Sequence, residues 1–324
     1  MPEAIVVRSY GGPDVLQLEA IPTPQVGSGE LLIQQTAIGI NFHDIYCRSG
    51  LYKTLSLPGT PGIEGVGIVM EMGSEVKGFA KGDKVGYITK SYDGYSSVRT
   101  LDAKLAIPIP PSFDDALVAS VLLKGLTVHM LSRQVSKIKN GNRILIHAAA
   151  GGVGQLLVQV AKKMGAMVIG TVGSEAKAEI ARQAGCDRII LYRQENVYDQ
   201  VMEFTKGKGL HQVFDSVGKD TFFSSLESLA PTGHLINFGQ SSGPIKGFEI
   251  PMLAKKSITL SRPMLFHYTN ERINLLGMSQ WLFEGLANGE LKAPKPELLL
   301  LKDAAIAHEL LESRKALSPI VLIP

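Results

Sequence analysis

Apolar residues along this chain repeat in two different ways. From about residue 140 to 262, short β-branched runs alternate with segments whose apolar positions recur at helical spacing. Residues 143–148, 167–172, 188–192, 212–215 and 234–238 read as strands. Residues 153–164, 175–184, 196–205 and 221–229 read as helices. Strands that are apolar on both faces, alternating with helices, predict βαβ units around a buried parallel sheet. The first 110 residues or so have another texture. Short β-type runs at 4–7, 31–37, 67–71 and 84–88 are separated by Gly11-Gly12-Pro13, Pro58-Gly59 and Lys81-Gly82-Asp83. That punctuation predicts a compact, partly barrel-like β domain. A helix then opens at Ser112 through Asp115 and runs toward Leu131. The tail breaks the alternation with a helix over 270–288 stopped by Gly289, a strand at 298–301, a helix over 303–314 and an apolar end at 320–323. It is expected to return and complete the N-terminal domain.

The chemistry concentrates at Ala148-Ala149-Ala150-Gly151-Gly152-Val153-Gly154, after a predicted strand and opening a predicted helix. A dinucleotide fold needs small residues here. The chain turns tightly, the backbone approaches the pyrophosphate, and the free N–H groups of the helix face it. Ala149 stands where the first glycine of G-x-G-x-x-G is expected, so a plain strand–helix packing turn is the competing reading. No Gly-Lys-Ser/Thr follows, which disfavours a P-loop. The next strand ends Val172-Gly173-Ser174 without an acid, with Lys177 and then Tyr192-Arg193 beyond. An acid at that tip would take the ribose 2′-hydroxyl of NAD, whereas hydroxyl and cationic groups suit a 2′-phosphate. Glu175 falls in the first helical turn. The expected cofactor is therefore NADPH.

Composition narrows the classes. Thirty-three Lys and Arg against 30 Asp and Glu, a net charge of +3, offer no clustered basic footprint for nucleic acid. Two cysteines, Cys47 and Cys186, exclude a disulfide framework and a four-cysteine zinc lobe, and fit a cytoplasmic protein. The N-terminus lacks a signal-peptide core, and the weakly charged stretch 144–161 reads as strand, turn and helix rather than a membrane span. Gly239-Gln240-Ser241-Ser242-Gly243 matches the hydrolase elbow formally, but Pro244-Ile245-Lys246-Gly247 follows instead of a helix. Asp303 and His308 fall on one predicted helix, and His211, Asp215 and Ser216 lie along one strand with alternating faces. Neither set completes a triad. Lys124 reads equally as a cleft cation or a helix-start lysine.

Several segments together resemble the quinone oxidoreductases of the zinc-free medium-chain dehydrogenase/reductase superfamily. They are Asn41-Phe42-His43-Asp44-Ile45-Tyr46, Arg48-Ser49-Gly50-Leu51-Tyr52, Lys124-Gly125-Leu126-Thr127, Ala148 through Gly154, Asp215-Ser216-Val217-Gly218, Phe238 through Gly243, and His308 through Arg314. The resemblance spans the chain in order. It implies an α/β protein with a GroES-like β-rich catalytic domain from 1–123 and 265–324, around a doubly wound Rossmann domain at 124–264. It implies NADPH contacts at Asn41, Thr127, Gly152, Val153, Ser174, Lys177, Tyr192, Ser216, Gly239, Ser241, Ser242 and Arg314. It also implies a homodimer, and a cleft between domains where Asn41, Asp44, Tyr46 and Tyr52 serve hydride transfer to a quinone. Asn41 and Asp44 would hold the ribose, and Tyr52 would orient the acceptor or pass it a proton through water. Loop capping for Asn41 and Asp44, and packing for the two tyrosines, are the plainer readings.

Aligned through those segments, Asn41 stands at the first Cys position of the related zinc alcohol dehydrogenases and Ile63 at the His position. No zinc site is expected, and His43, Cys47 and Glu64 are not read as ligands. Enone or alkenal reduction is the rival activity. A nucleotide-binding structural or RNA-binding protein is the rival class.

Overall fold

The computed structural model describes residues 1–324, and its packing divides the chain into two units. The first comprises Met1–Leu123, Thr269–Phe283 and Ala293–Pro324. The second comprises Lys124–Tyr268 and Glu284–Lys292.

The first unit opens with β1 (Glu3–Val6) and β2 (Gln17–Ala20), which pair antiparallel. Then come β3 (Glu30–Gly39), α1 (Phe42–Arg48), β4 (Glu64–Met72), β5 (Lys84–Ile88), β6 (Val98–Asp102), β7 (Ile107–Pro108) and α2 (Asp115–His129), whose residues from Lys124 on count with the second unit. The short α1 carries no strong apolar period and went unpredicted. Within the expected 112–115 start, Asp114 caps α2, its Oδ1 accepting the Leu117 N–H at 2.8 Å. The long apolar helical stretch Asp115–Val135 has 72% of its most apolar window buried within the protein.

The second unit contains β8 (Arg143–Ile146), α3 (Gly152–Lys163), β9 (Met167–Val172), α4 (Glu175–Ala184), β10 (Arg188–Leu191), α5 (Val197–Phe204), β11 (Leu210–Asp215), α6 (Phe222–Ser228), β12 (Leu229–Asn237), β13 (Thr259–Ser261) and α7 (Leu265–Tyr268). Its sheet is parallel throughout, in the order β10-β9-β8-β11-β12-β13. Leu145, Ile169, Ile190, Val213 and Leu235 form its buried core. Edge strand β13 has only three residues, too few for a periodic signal, and was missed. The winding runs from β8 toward β10 on one side and from β11 toward β13 on the other. The ends of β8 and β11 therefore flank the switch point, where such sheets open a crevice for ligands.

The tail adds α8 (Arg272–Ala287), β14 (Glu297–Leu300), α9 (Ala304–Glu312) and β15 (Ile320–Ile323). β15 pairs antiparallel with β3 at Val321–Gly39 and Leu322–Ile38. This joins the tail to a sheet ordered β14-β15-β3-β4-β5-β7, with β6 also on β3. Two stretches depart from the expected boundaries: 265–268 and 284–292 pack with the second unit. The latter is held there by polar pairing. Gln159 of α3 donates its amide to the Lys292 carbonyl at 3.0 Å and accepts the Lys292 N–H at 2.8 Å, and Lys163 pairs with Glu290.

Candidate functional site

In the second unit β8 runs into the small-residue turn. Ala148 takes a positive φ of 51°, and its carbonyl accepts the Gly151 N–H at 2.8 Å, closing the turn. Gly151 is the N-cap of α3 and has no side chain, so no capping side chain meets the first-turn N–H groups, the kind of helix start that suits an anion. A Cβ on Gly154 would lie 2.3 Å from the Ala148 oxygen and 2.8 Å from the Ala149 Cα, so α3 seats on the turn only with glycine there. Ala149 fits where a glycine was expected because β9 offers Gly170 opposite, where a Cβ would lie 2.7 Å from the Ala149 Cβ. Beneath the turn His147 is 1% exposed and bonded to the Thr171 hydroxyl at 2.9 Å and the Ser225 hydroxyl at 2.8 Å.

At the ends of β9 and β10, Ser174 caps α4 by accepting the Lys177 N–H. A Cβ on Gly173 would lie 2.8 Å from the Tyr192 hydroxyl oxygen, so glycine lets the phenol reach the tip of β9. The Ser174 hydroxyl, the Lys177 backbone N–H and the Tyr192 hydroxyl thus lie at one tip, with Glu175 the first residue of α4.

Past β11, one Asp215 oxygen accepts the Val217 and Gly218 N–H groups and the Thr221 hydroxyl at 2.8, 3.0 and 2.8 Å. Gly239 lies against Ser216 backbone to backbone, since a Cβ there would sit 2.5 Å from the Ser216 oxygen. The Ser241 N–H donates to that oxygen at 3.2 Å. The Ser242 hydroxyl donates to the Val217 carbonyl at 2.8 Å and accepts the Asp220 N–H at 3.0 Å, holding the two loops together. Thr127 is buried in α2. Lys124, which the sequence left undecided, lies well inside that helix rather than at its start and is 8% exposed. Its stem crosses the glycine turn: a Cβ on Gly152 would lie 2.7 Å from the Lys124 Cδ.

The remaining predicted residues belong to the first unit, around α1. Asn41 is the N-cap of α1. Its N–H donates to Asp44 Oδ2 at 2.8 Å, and its Nδ2 donates to Glu64 Oε1 at 2.7 Å. The other Glu64 oxygen accepts the Leu123 N–H at 2.8 Å. Both carboxylates are fully buried. The Tyr46 and Tyr52 rings meet edge-on at 5.1 Å, and the row continues through His43 at 5.7 Å and on to Tyr92 at 6.1 Å. The Tyr92 hydroxyl sits between Thr54 and the Cys47 thiol. Burial pushes the Cys47 thiol up and His43 down to about 4, so the ring is neutral. Arg314 follows α9 in a left-handed conformation, φ 56°, its N–H on the Leu311 carbonyl at 3.1 Å.

The sequence singled out Asn41, Asp44 and the two tyrosines, gave His308 no role and did not single out Tyr95. Tyr95 bonds to both Asp44 and His308, 213 positions apart from the latter, a spacing no motif records.

Two family models match: the alcohol dehydrogenase GroES-like domain over residues 27–110, and zinc-binding dehydrogenase over 152–280. A quinone oxidoreductase of Pseudomonas aeruginosa is 41% identical over 325 residues, covering all of both chains. The chain belongs to the quinone oxidoreductase family. The structure of a Pseudomonas syringae quinone oxidoreductase superposes with a TM-score of 0.97 at 42% identity, covering all of both chains. That of the Escherichia coli quinone oxidoreductase complexed with NADPH gives 0.96 at 41%, covering 99% of this chain and all of that one. The family model's zinc does not fit the residues present. The Asn41 amide nitrogen faces a carboxylate, Ile63 is apolar and buried, Cys47 is bound up with Tyr92, and no three His, Cys, Asp or Glu side chains gather as a metal set.

Proposed function

We propose that this member of the family is an NADPH-dependent quinone reductase that works without a metal. Full-length similarity to quinone oxidoreductases supports the acceptor, and the acid-free tip of β9, with Ser174, Lys177 and Tyr192, carries the cofactor. Bound NADPH supplies a hydride, and a proton completes the reduced quinone. The residues of the chain bind and orient. Gly152 and Val153 offer first-turn N–H groups to the pyrophosphate. Ser174, Lys177 and Tyr192 hold the 2′-phosphate. Thr127, Ser216, Gly239, Ser241 and Arg314 flank the rest of the cofactor, while Ser242 fixes the loop that carries Ser241. Asn41, fastened by Asp44 and Glu64, meets the ribose, and Tyr46 and Tyr52 orient the acceptor ring. A quinone is electrophilic without a Lewis acid, so orientation is the main demand on the protein. The same reading makes the protein a cytoplasmic homodimer with no nucleic-acid or membrane partner, in keeping with its two unpaired cysteines.

The test follows cofactor absorbance with chelator-treated protein and a small quinone. Rapid quinone-dependent NADPH loss with much slower NADH loss is expected. Tight NADPH binding without quinone turnover would overturn the assignment and favour enones as acceptors. Lys177→Ala is expected to raise KM for NADPH about tenfold and leave NADH unaffected, the loss of one charge-assisted phosphate contact. An equal effect on both cofactors would place Lys177 elsewhere.

A further inference from the structure

Tyr95 and His308 are fully buried, and neither has a role in the family reading above. Tyr95 carries one hydroxyl proton and faces two partners. It donates to Asp44 Oδ2 at 3.2 Å, so its oxygen must accept from His308 Nε2–H at 3.0 Å. This fixes the tautomer of His308, whose Nδ1 has no hydrogen-bond partner. Asp44 Oδ2 takes the Asn41 N–H at 2.8 Å, so a continuous polar line runs from α9 through Tyr95 to Asn41, the N-cap of α1. A second tie joins the same helices, where Arg48 of α1 grips Glu312 of α9 with two bonds of 3.0 and 2.7 Å. Apolar packing would join two helices with no desolvation penalty, so a buried polar line that ends on a functional residue points to orientation as its purpose.

We infer that Tyr95 and His308 are positioning residues that act through Asp44 to hold Asn41 in register for the cofactor. The inference rests on the reading of Asn41 as an NADPH contact.

Three single variants, Tyr95→Phe, His308→Leu and His308→Gln, test it by NADPH titration of protein fluorescence, steady-state kinetics and thermal melting. Tyr95→Phe and His308→Leu are expected to raise Kd and KM for NADPH about tenfold while kcat moves less than about twofold, the signature of lost uniform binding. His308→Gln restores an N–H toward Tyr95 and is expected to recover most of the affinity lost in His308→Leu. Lower melting temperatures with NADPH affinity unchanged would overturn the inference, as would a glutamine variant no better than leucine. Wild-type protein that binds NADPH without reducing quinones would defeat the functional reading alone, and wild-type protein that does not bind NADPH would defeat both.

Discussion

Gly154→Ala is expected to weaken NADPH binding by a factor on the order of 100, the effect of displacing a binding geometry by about 1 Å. The added methyl would lie 2.3 Å from the Ala148 oxygen and within 2.9 Å of two Ala149 backbone atoms, and no flexible side chain is there to yield. Helix α3 must lift from the turn, carrying away the N–H groups of Gly152 and Val153. The reverse case lies in α8. Gly277 is exposed with no atom within 4 Å of its would-be Cβ, so Gly277→Ala is expected to stabilise the protein by roughly 0.5–1 kcal/mol. Fluorescence titration and thermal melting of both variants check the pair. Affinity within about threefold of wild type in Gly154→Ala, below half a tenfold step of 1.4 kcal/mol, would remove the glycine turn from the cofactor site.

Acidification from pH 7 to 5 is expected to destabilise the protein markedly. Burial, with the Arg48 charge nearby, holds His308 down to about 3, from 6.5 in the unfolded chain. Its surroundings are the Tyr95 hydroxyl, with Asp44 behind it, and the Arg48–Glu312 pair. Between these two values the unfolded chain takes up a proton that the folded chain refuses. The contribution of His308 is therefore complete above pH 6.5 and falls as pH drops, by about 1.4 kcal/mol per unit, or about 2 kcal/mol at pH 5. His43, lowered to about 4, and the buried His147, lowered by burial against the pull of Asp215, act in the same direction. Urea unfolding at both pH values should show this loss, and His308→Gln should flatten it by about the share of one histidine. Parallel pH slopes for wild type and variant would mean that His308 is not held neutral by the fold.

The second unit was largely legible in the sequence because its signals are local. Strand–helix alternation follows from burial on both sheet faces, and strand β9 and helix α4 lie where the pattern put them. The glycine turn and the acid-free tip at Ser174 were legible for the same reason, since each is a run of neighbours doing one job. Ala149, the apparent flaw in the motif, was explained only by Gly170 on the next strand.

The sequence by itself determined the fold class, the glycine turn, the expected cofactor and the absence of zinc ligands at Asn41 and Ile63. Only the tertiary structure decided that 284–292 join the second unit, that the Lys124 stem lies across Gly152, that Ser242 ties loops, and that Tyr95 and His308 stand behind Asp44. The physical reason is range. Periodicity and turn chemistry act between residues a few positions apart, whereas a buried polar group takes whichever partner folding brings within about 3 Å, at any separation along the chain.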